Sequence, residues 1–159
     1  MSAERIDTAA IPPTLIRFHG GCLTVLRADL AAVAPEEGCA LLLGSQAEDR
    51  SVSVQTIWPC RNVWMQPQER YRRFALDPRE QIAAQRWART RALRVLGAAH
   101  SHPHSGHQPS ENDRALADPK LITVILDASG TPAAWWLPPG QPVVSVPVQV
   151  WDTEMACGV

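Results

Sequence analysis

The sequence His100-Ser-His-Pro-His-Ser-Gly-His-Gln-Pro-Ser-Glu-Asn-Asp113 carries the strongest structural and chemical pattern of the chain. It follows Leu93–Ala99, a short apolar segment that predicts a strand. Residues two apart on a strand point to the same side, so His100 and His102 are expected to direct both imidazoles at one point. A loop then reverses the chain, and Asp113 lies one turn inside the next predicted helix. Its carboxylate is therefore expected to reach the same point.

Two imidazoles and one carboxylate form a ligand set that leaves the fourth position of a tetrahedral zinc ion open for water. Zinc lowers the pKa of such a water to about 7, where it becomes a usable nucleophile. The reaction also needs a base. Glu37 is the candidate, because it stands just before Gly38–Leu43, a predicted buried strand that ends at Gly44. Ser110, at the start of the predicted helix, is the candidate donor to an oxyanion.

Each of these residues also has an interpretation without chemistry. A His-x-His pair on a strand is more often a surface or core pair than a ligand set. Ser110-x-x-Asp113 is a helix capping box, and Glu37 alone would be a solvated carboxylate at a strand entrance. The complete set at fixed spacing is difficult to obtain by chance, so we favour a metal site and expect Ser110 to cap the helix as well.

The rest of the chain predicts a mixed α/β domain with one sheet and two or three helices. Asp77, Pro78 and Glu80 indicate a helix start of the capping-box type, and this helix is expected to end near residues 89–91. A further helix is predicted at 28–34, with further strands at 14–18, 23–26, 52–58, 121–126, 133–137 and 143–151. Residues 1–13 are predicted to be a loose lead-in, 14–152 a single domain and 153–159 a C-terminal tail.

The composition indicates a globular protein, because 45% of the 159 residues are hydrophobic and 19% are charged. The net charge of -1 gives no general reason to expect nucleic acid, although eight basic residues fall between Arg70 and Arg94. We expect that stretch to be solvated or to face a substrate. No run approaches the roughly 20 apolar residues of a membrane span. Without a signal-peptide core or a C-x-x-C pair, the sequence predicts a cytoplasmic protein.

The spacing of the central stretch resembles a known motif. His100-x-His102-Pro103, followed by five residues and then Pro109-Ser110-x-x-Asp113, looks like the JAMM motif of MPN-domain metallopeptidases. Pro35-Glu36-Glu37, before an apolar strand, is similar to the place where that family keeps its catalytic glutamate. The likeness covers roughly residues 23–126. Ala40 departs from the family pattern, since a glycine is common there.

The resemblance implies one Zn²⁺ ion bound by His100, His102 and Asp113, with Glu37 as general acid/base and Ser110 as oxyanion partner. It implies a curved mixed sheet flanked by helices, of the MPN/JAB type and related in layout to cytidine deaminases. It also implies hydrolysis of a peptide or isopeptide bond at the C-terminal tail of a ubiquitin-like or sulfur-carrier protein that ends in Gly-Gly. The short chain resembles the compact prokaryotic members.

Several further residues have expected roles. Asn62 is similar to an asparagine often found at that point of the family, and it is a candidate for substrate contact or for organising a turn. Trp64 is a candidate contact in a substrate groove. His104 and His107 are expected in a solvent-exposed loop and not at the metal. Cys39 is expected to be a small buried hydrophobe and not a thiol ligand.

Two other functions match parts of the pattern. A non-catalytic MPN interaction module is one alternative, but such modules typically lack one or more metal ligands and this chain lacks none. A zinc deaminase would carry Pro-Cys-x-x-Cys, which the chain does not contain. The leading prediction is therefore a metallopeptidase or isopeptidase. The choice between a peptide, an isopeptide and a cysteine adduct stays open.

Overall fold

One mixed sheet organises the molecule. The computed structural model describes residues 11–151. Along this part, the elements are β1 (Ile16–His19), α1 (Cys22–Ala31), β2 (Cys39–Gln46), β3 (Val52–Cys60), a short 3₁₀ helix (Pro67–Glu69), α2 (Pro78–Arg89), β4 (Arg94–Ser101), α3 (Glu111–Leu116), β5 (Ile122–Leu126), β6 (Pro132–Trp136), β7 (Val144–Val146) and β8 (Val148–Trp151). The strand order within the sheet is β7-β6-β5-β4-β2-β3-β1-β8.

The sheet mixes both pairing directions and curves strongly. β2 pairs antiparallel with β3 and β4, whereas β4 pairs parallel with β5. β1 joins β3 and β8 in parallel. β8 also contacts β6, so the two ends of the sheet approach each other. This confirms the predicted fold class, a curved mixed sheet flanked by helices.

The strand predicted at 23–26 is wrong, because these residues belong to α1. Leu23, Leu26 and Leu30 recur at the three- and four-residue spacing of one helical face, and all three are buried. That face packs on the same side of the sheet as Phe18 and Leu42. The helix predicted at 28–34 therefore begins six residues too late and runs past the true end.

The other face of the sheet is covered by α2, whose predicted start and end are confirmed. The Asp77 side chain accepts a hydrogen bond from Arg79 N at 2.9 Å, and Pro78 occupies the first turn. Glu80 does not complete a capping box as expected. Its Oε2 accepts a hydrogen bond from Trp58 Nε1 at 2.7 Å and so joins the helix to β3.

The single strand predicted at 143–151 is also wrong. Pro147 separates it into β7 and β8, which lie at opposite ends of the sheet order. Proline has no N–H to donate, and its carbonyl instead accepts from Ile16 N at 2.9 Å. The strands predicted at 52–58, 121–126 and 133–137 are present within two residues of the expected bounds. The C-terminal tail and most of the lead-in lie outside the described residues.

Candidate metal centre

Three polar side chains converge where β4 ends and α3 begins. His100 and His102 place their Nε2 atoms 3.1 Å apart. Asp113 Oδ1 lies 3.1 Å from His100 Nε2, and Asp113 Oδ2 lies 3.1 Å from His102 Nε2. All three residues are buried. Within residues 11–151, they form the one group of histidine, cysteine or acidic side chains close enough to share an ion.

The spacing of these atoms fits a metal ion. Ligands held at 2.0–2.1 Å in a tetrahedron are about 3.3 Å from one another, close to the observed separations. The Oε2 atom of Glu37 is also buried, and it has no hydrogen-bond partner among the described residues. A buried carboxylate oxygen without a partner is costly and calls for an explanation. The donor set and this unpartnered oxygen both match a site for a cation with one open position.

The two imidazoles are oriented by different means. His102 Nδ1 lies 2.7 Å from Gly106 O, a contact in which Nδ1–H donates and leaves the Nε2 lone pair for the site. His100 has no such contact, and its buried Nδ1 lacks a partner among residues 11–151. Instead, Phe74 stacks on the His100 ring at 4.3 Å between centroids and 23° between planes. Packing therefore holds the Nδ1 side of this ring, whereas its Nε2 contacts Asp113 Oδ1.

Asp113 is held by the start of its own helix. Ser110 N donates to Asp113 Oδ2 at 2.9 Å, and Asp113 N donates to Ser110 Oγ at 3.0 Å. This reciprocal pair is the capping box expected from the sequence. Ser110 itself is exposed beside the buried cluster, which leaves its hydroxyl hydrogen available to another acceptor.

The electrostatics suit cation binding. Burial is the main reason that the pKa of His100 is lowered, so the ring is neutral at pH 7. Burial raises the pKa of Asp113, but hydrogen bonds from His100 and His102 outweigh it, and the pKa falls below its ordinary range. Burial likewise lowers the pKa of His102, but Asp113 and Gly106 O outweigh it and raise the pKa. A bound cation would take the place of the direct contact between His102 Nε2 and Asp113 Oδ2.

Glu37 is joined to the cluster through Gly38. Gly38 N donates to Ser101 Oγ at 2.9 Å, and Ser101 N donates to Gly38 O at 3.0 Å, so the start of β2 is fixed to the residue between the two histidines. Gly38 also allows α1 to approach closely. A Cβ at this position would lie 2.8 Å from the Cα and O atoms of Leu30. A larger residue would displace either the helix or Glu37.

Glu37 combines burial with charge coupling to the cluster. Burial raises the pKa of its carboxyl from 4.5 to about 7, while His102 lowers it and Asp113 raises it further. The side chain is 4% exposed. A carboxyl with a pKa near neutral, coupled by charge to His102 and Asp113, can both accept and release a proton at physiological pH.

Asn62 organises the backbone around Glu37. Its Nδ2 donates to Glu37 O at 3.0 Å and to Arg73 O at 2.8 Å. Its Oδ1 accepts from Trp64 N at 3.0 Å and from Ala75 N at 3.2 Å. The side chain therefore organises the local backbone, which is one of the two roles expected for it. The expected substrate contact stays a prediction.

The remaining expected residues lie around the cluster. Trp64 is half-buried, and its Nε1 donates to Glu69 Oε2 at 3.1 Å, so its role in a substrate groove also stays a prediction. His104 is exposed, as expected, whereas His107 is half-buried, and neither joins the metal-ligand group. Cys39 is buried and burial raises its pKa to about 12, which is consistent with an apolar thiol and not a ligand.

Sequence reasoning missed two residues that position the site. Ser101 was predicted only as the residue between two histidines, yet it fastens β2 to β4. Its place on the strand, pointing away from the imidazoles, was the available clue. Phe74 lies 26 positions before His100, in a segment without regular periodicity, so nothing in the sequence indicated the stacking contact.

Comparison with known proteins adds a family. The family described as prokaryotic homologs of the JAB domain matches residues 20–138. Tail tip assembly protein K of Escherichia phage N15 is 32% identical over 100 residues, which are 63% of this chain and 35% of that protein. The chain thus spans about a third of the length of this curated relative.

Two solved structures share the fold over nearly their whole length. The solution structure of a protein from Desulfitobacterium hafniense has a TM-score of 0.76 and 26% identity, covering 87% of this chain and 94% of that one. That of a protein from Salinibacter ruber has a TM-score of 0.64 and 28% identity, covering 88% and 94%. With the match over residues 20–138, the chain belongs to the prokaryotic homologs of the JAB domain.

Proposed function

We propose that this protein is a zinc-dependent hydrolase. Its substrate would be a peptide or isopeptide bond at the C-terminal tail of a ubiquitin-like or sulfur-carrier protein ending in Gly-Gly. The observation that carries the proposal is the buried cluster of His100, His102 and Asp113, with contacts of 3.1 Å, together with a buried Glu37 whose Oε2 has no hydrogen-bond partner among the described residues. Membership of the JAB family supports the same chemistry.

The chemistry divides among the chain's own residues. A bound zinc ion would supply Lewis-acid activation of water and of the scissile carbonyl. Glu37 takes the proton of the attacking water and delivers it to the leaving nitrogen, and its pKa of about 7 suits both transfers. Ser110 Oγ already accepts from Asp113 N, so its hydroxyl hydrogen is free to donate to the oxyanion.

The segment 61–65 is the proposed support for the substrate tail. It follows β3 directly, and Asn62 ties it to the backbone of Glu37. An extended tail laid along such a segment gains strand-type hydrogen bonds. Arg61 and Arg72 are exposed nearby, and their charge would increase the rate of encounter with an acidic carrier.

The test uses zinc-loaded protein and a ubiquitin-like carrier extended beyond its Gly-Gly terminus, with cleavage followed by mass spectrometry. We expect the wild-type protein to release the extension. Glu37→Ala should retain zinc and lose turnover by at least about 100-fold, the lower range for general-base removal. Glu36→Ala is the matched control at the adjacent position. Normal turnover by Glu37→Ala would refute the assignment of the base.

A second candidate is a non-catalytic part in an assembly. The observation that favours it is the 32% identity with a phage protein named for tail tip assembly. The same assay separates the two functions. Protein that holds one zinc ion per chain and cleaves none of the extended carriers would favour the assembly function.

A further inference from the structure

A cavity of about 550 Å³ adjoins the metal-ligand cluster. His100 and Asp113 form part of its wall, so the cavity borders the candidate metal centre. The other walls come from segment 74–76, α2, α3, residues 117–121 and parts of β4 and β5. Its apolar lining includes Phe74, Leu76, Ala98, Leu116 and Leu121. Its volume lies within the range of about 300–1,000 Å³ that is common for ligand pockets.

The chemistry of the cavity favours an apolar group. Phe74 and Leu76 line one side and Ala98 lines part of the sheet face. Leu116, at the end of α3, is 61% exposed although it is a large apolar side chain. A concave apolar surface bordered by such an exposed residue is typical of a binding site. Asp118 and Lys120 add charge of both signs, so neither sign dominates.

The position of the cavity assigns it to one side of the scissile bond. Segment 74–76 pairs with 62–64, through the bridge between Asn62 and Leu76 and the bond from Val63 N to Ala75 O at 3.0 Å. The proposed substrate tail lies along 61–65. None of residues 61–65 lines the cavity, whose walls are formed by segment 74–76, α2, α3, residues 117–121 and parts of β4 and β5. Segment 74–76 thus contacts both the proposed tail segment and the cavity, so a substrate with its acyl part along 61–65 would direct its leaving amine to the cavity.

We propose that this cavity is a specificity pocket for the leaving-group residue, and that it accepts a large apolar side chain such as phenylalanine or leucine. This inference rests on the proposed function. Water adds to the scissile carbonyl, the C–N bond breaks, and the nitrogen leaves with a proton as the free α-amine of the apolar residue. The preferred bond is thus a linear peptide bond after Gly-Gly, since a lysine isopeptide would place only a flexible methylene chain in the pocket.

A binding experiment tests the pocket without turnover. Phenylalanine amide and aspartic acid amide, which resemble the two kinds of leaving product, are titrated into the full ¹⁵N-labelled chain. Phenylalanine amide should shift the amide signals of Ala98, Leu116 and Thr123, and aspartic acid amide should not. Leu116→Asp should weaken the phenylalanine amide response at least fivefold. Ile82→Asp is the control, because Ile82 is 51% exposed on α2 and does not line the cavity.

A cleavage experiment tests specificity. The carrier is extended after Gly-Gly by phenylalanine, by aspartate or through a lysine isopeptide. We expect the phenylalanine form to react at least about tenfold faster, a usual value for filling an apolar pocket, and Leu116→Asp to remove the preference. Equal rates for all three carriers, or no shifts with phenylalanine amide, overturn the inference while the proposed hydrolysis stands. If no carrier is cleaved, the proposed hydrolysis fails and the titration alone decides whether the pocket binds apolar groups.

Discussion

Replacing Glu37 by glutamine should stabilise the metal-free protein, and the gain should depend on pH. Burial raises the pKa of this carboxyl from 4.5 to about 7. Between those values the folded protein keeps a proton that the unfolded chain has released. The stability of the folded state therefore falls as pH rises through this window. Glutamine has the same shape and never ionises, so Glu37→Gln removes this pH-dependent loss of stability.

The size of the effect follows from the two pKa values. At about 1.4 kcal/mol per pH unit, the difference between 4.5 and about 7 corresponds to about 3 kcal/mol when the carboxyl is fully ionised. Near pH 5 the free energies of unfolding of the two proteins should differ by less than about 1 kcal/mol, because the carboxyl is then protonated in the folded state. For a chain of this length, about 3 kcal/mol corresponds to roughly 6–12 °C in melting temperature.

Urea unfolding with a chelator present, at pH values from 5 to 8, measures the free energy of unfolding of both proteins. Other titrating groups affect both proteins alike, so their contributions largely cancel in the comparison. Glu36→Gln is the matched control, since it makes the same change at the adjacent, less buried residue. If the advantage of Glu37→Gln is the same at every pH, Glu37 does not titrate as a buried carboxyl, and the electrostatic reasoning is wrong.

Three further changes test other parts of the site. Asp113→Asn keeps an oxygen for the bond from Ser110 N but loses the charge, so zinc retained after dialysis should fall at least about tenfold; unchanged zinc content would remove Asp113 from the ligand set. Asn62→Ala deletes four hydrogen bonds and should lower the free energy of unfolding by about 2–4 kcal/mol in urea, whereas a loss below 1 kcal/mol would contradict its organising role. Gly38→Ala should lower the free energy of unfolding by about 1–3 kcal/mol, because its Cβ would lie 2.8 Å from the Leu30 backbone. An unchanged melting temperature would show that α1 can move away without loss of stability.

The ligand cluster was predictable because it rests on local geometry. Alternation along a strand places His100 and His102 on one side, and a capping box orients Asp113 at the start of a helix. The place of Glu37 before a predicted buried strand made it a candidate base, but it lies far from the histidines in sequence, so the resemblance to a family was needed to connect it with them. The contacts of Ser101 and Phe74 depend on which strands and segments become neighbours, which short-range patterns do not determine.

The errors in the fold have equally physical causes. Leu23–Leu26 is a short apolar run after two glycines, and such a run fits a strand as well as one turn of helix. Only Leu30, which continues the same spacing further along the chain, distinguishes a helix from a strand here. Residues 143–151 alternate like one strand, but Pro147 interrupts the hydrogen bonding and allows its two halves to join different ends of a curved sheet.

The capping box at Asp113 has a consequence for which acids the position tolerates. One oxygen of this side chain accepts from Ser110 N while it also faces His102 Nε2 at 3.1 Å. A glutamate would keep the negative charge but carry its oxygens about one carbon–carbon bond further out, away from one of these two contacts. The length of the acid therefore matters here as much as its charge, so Asp and Glu are not interchangeable at this position.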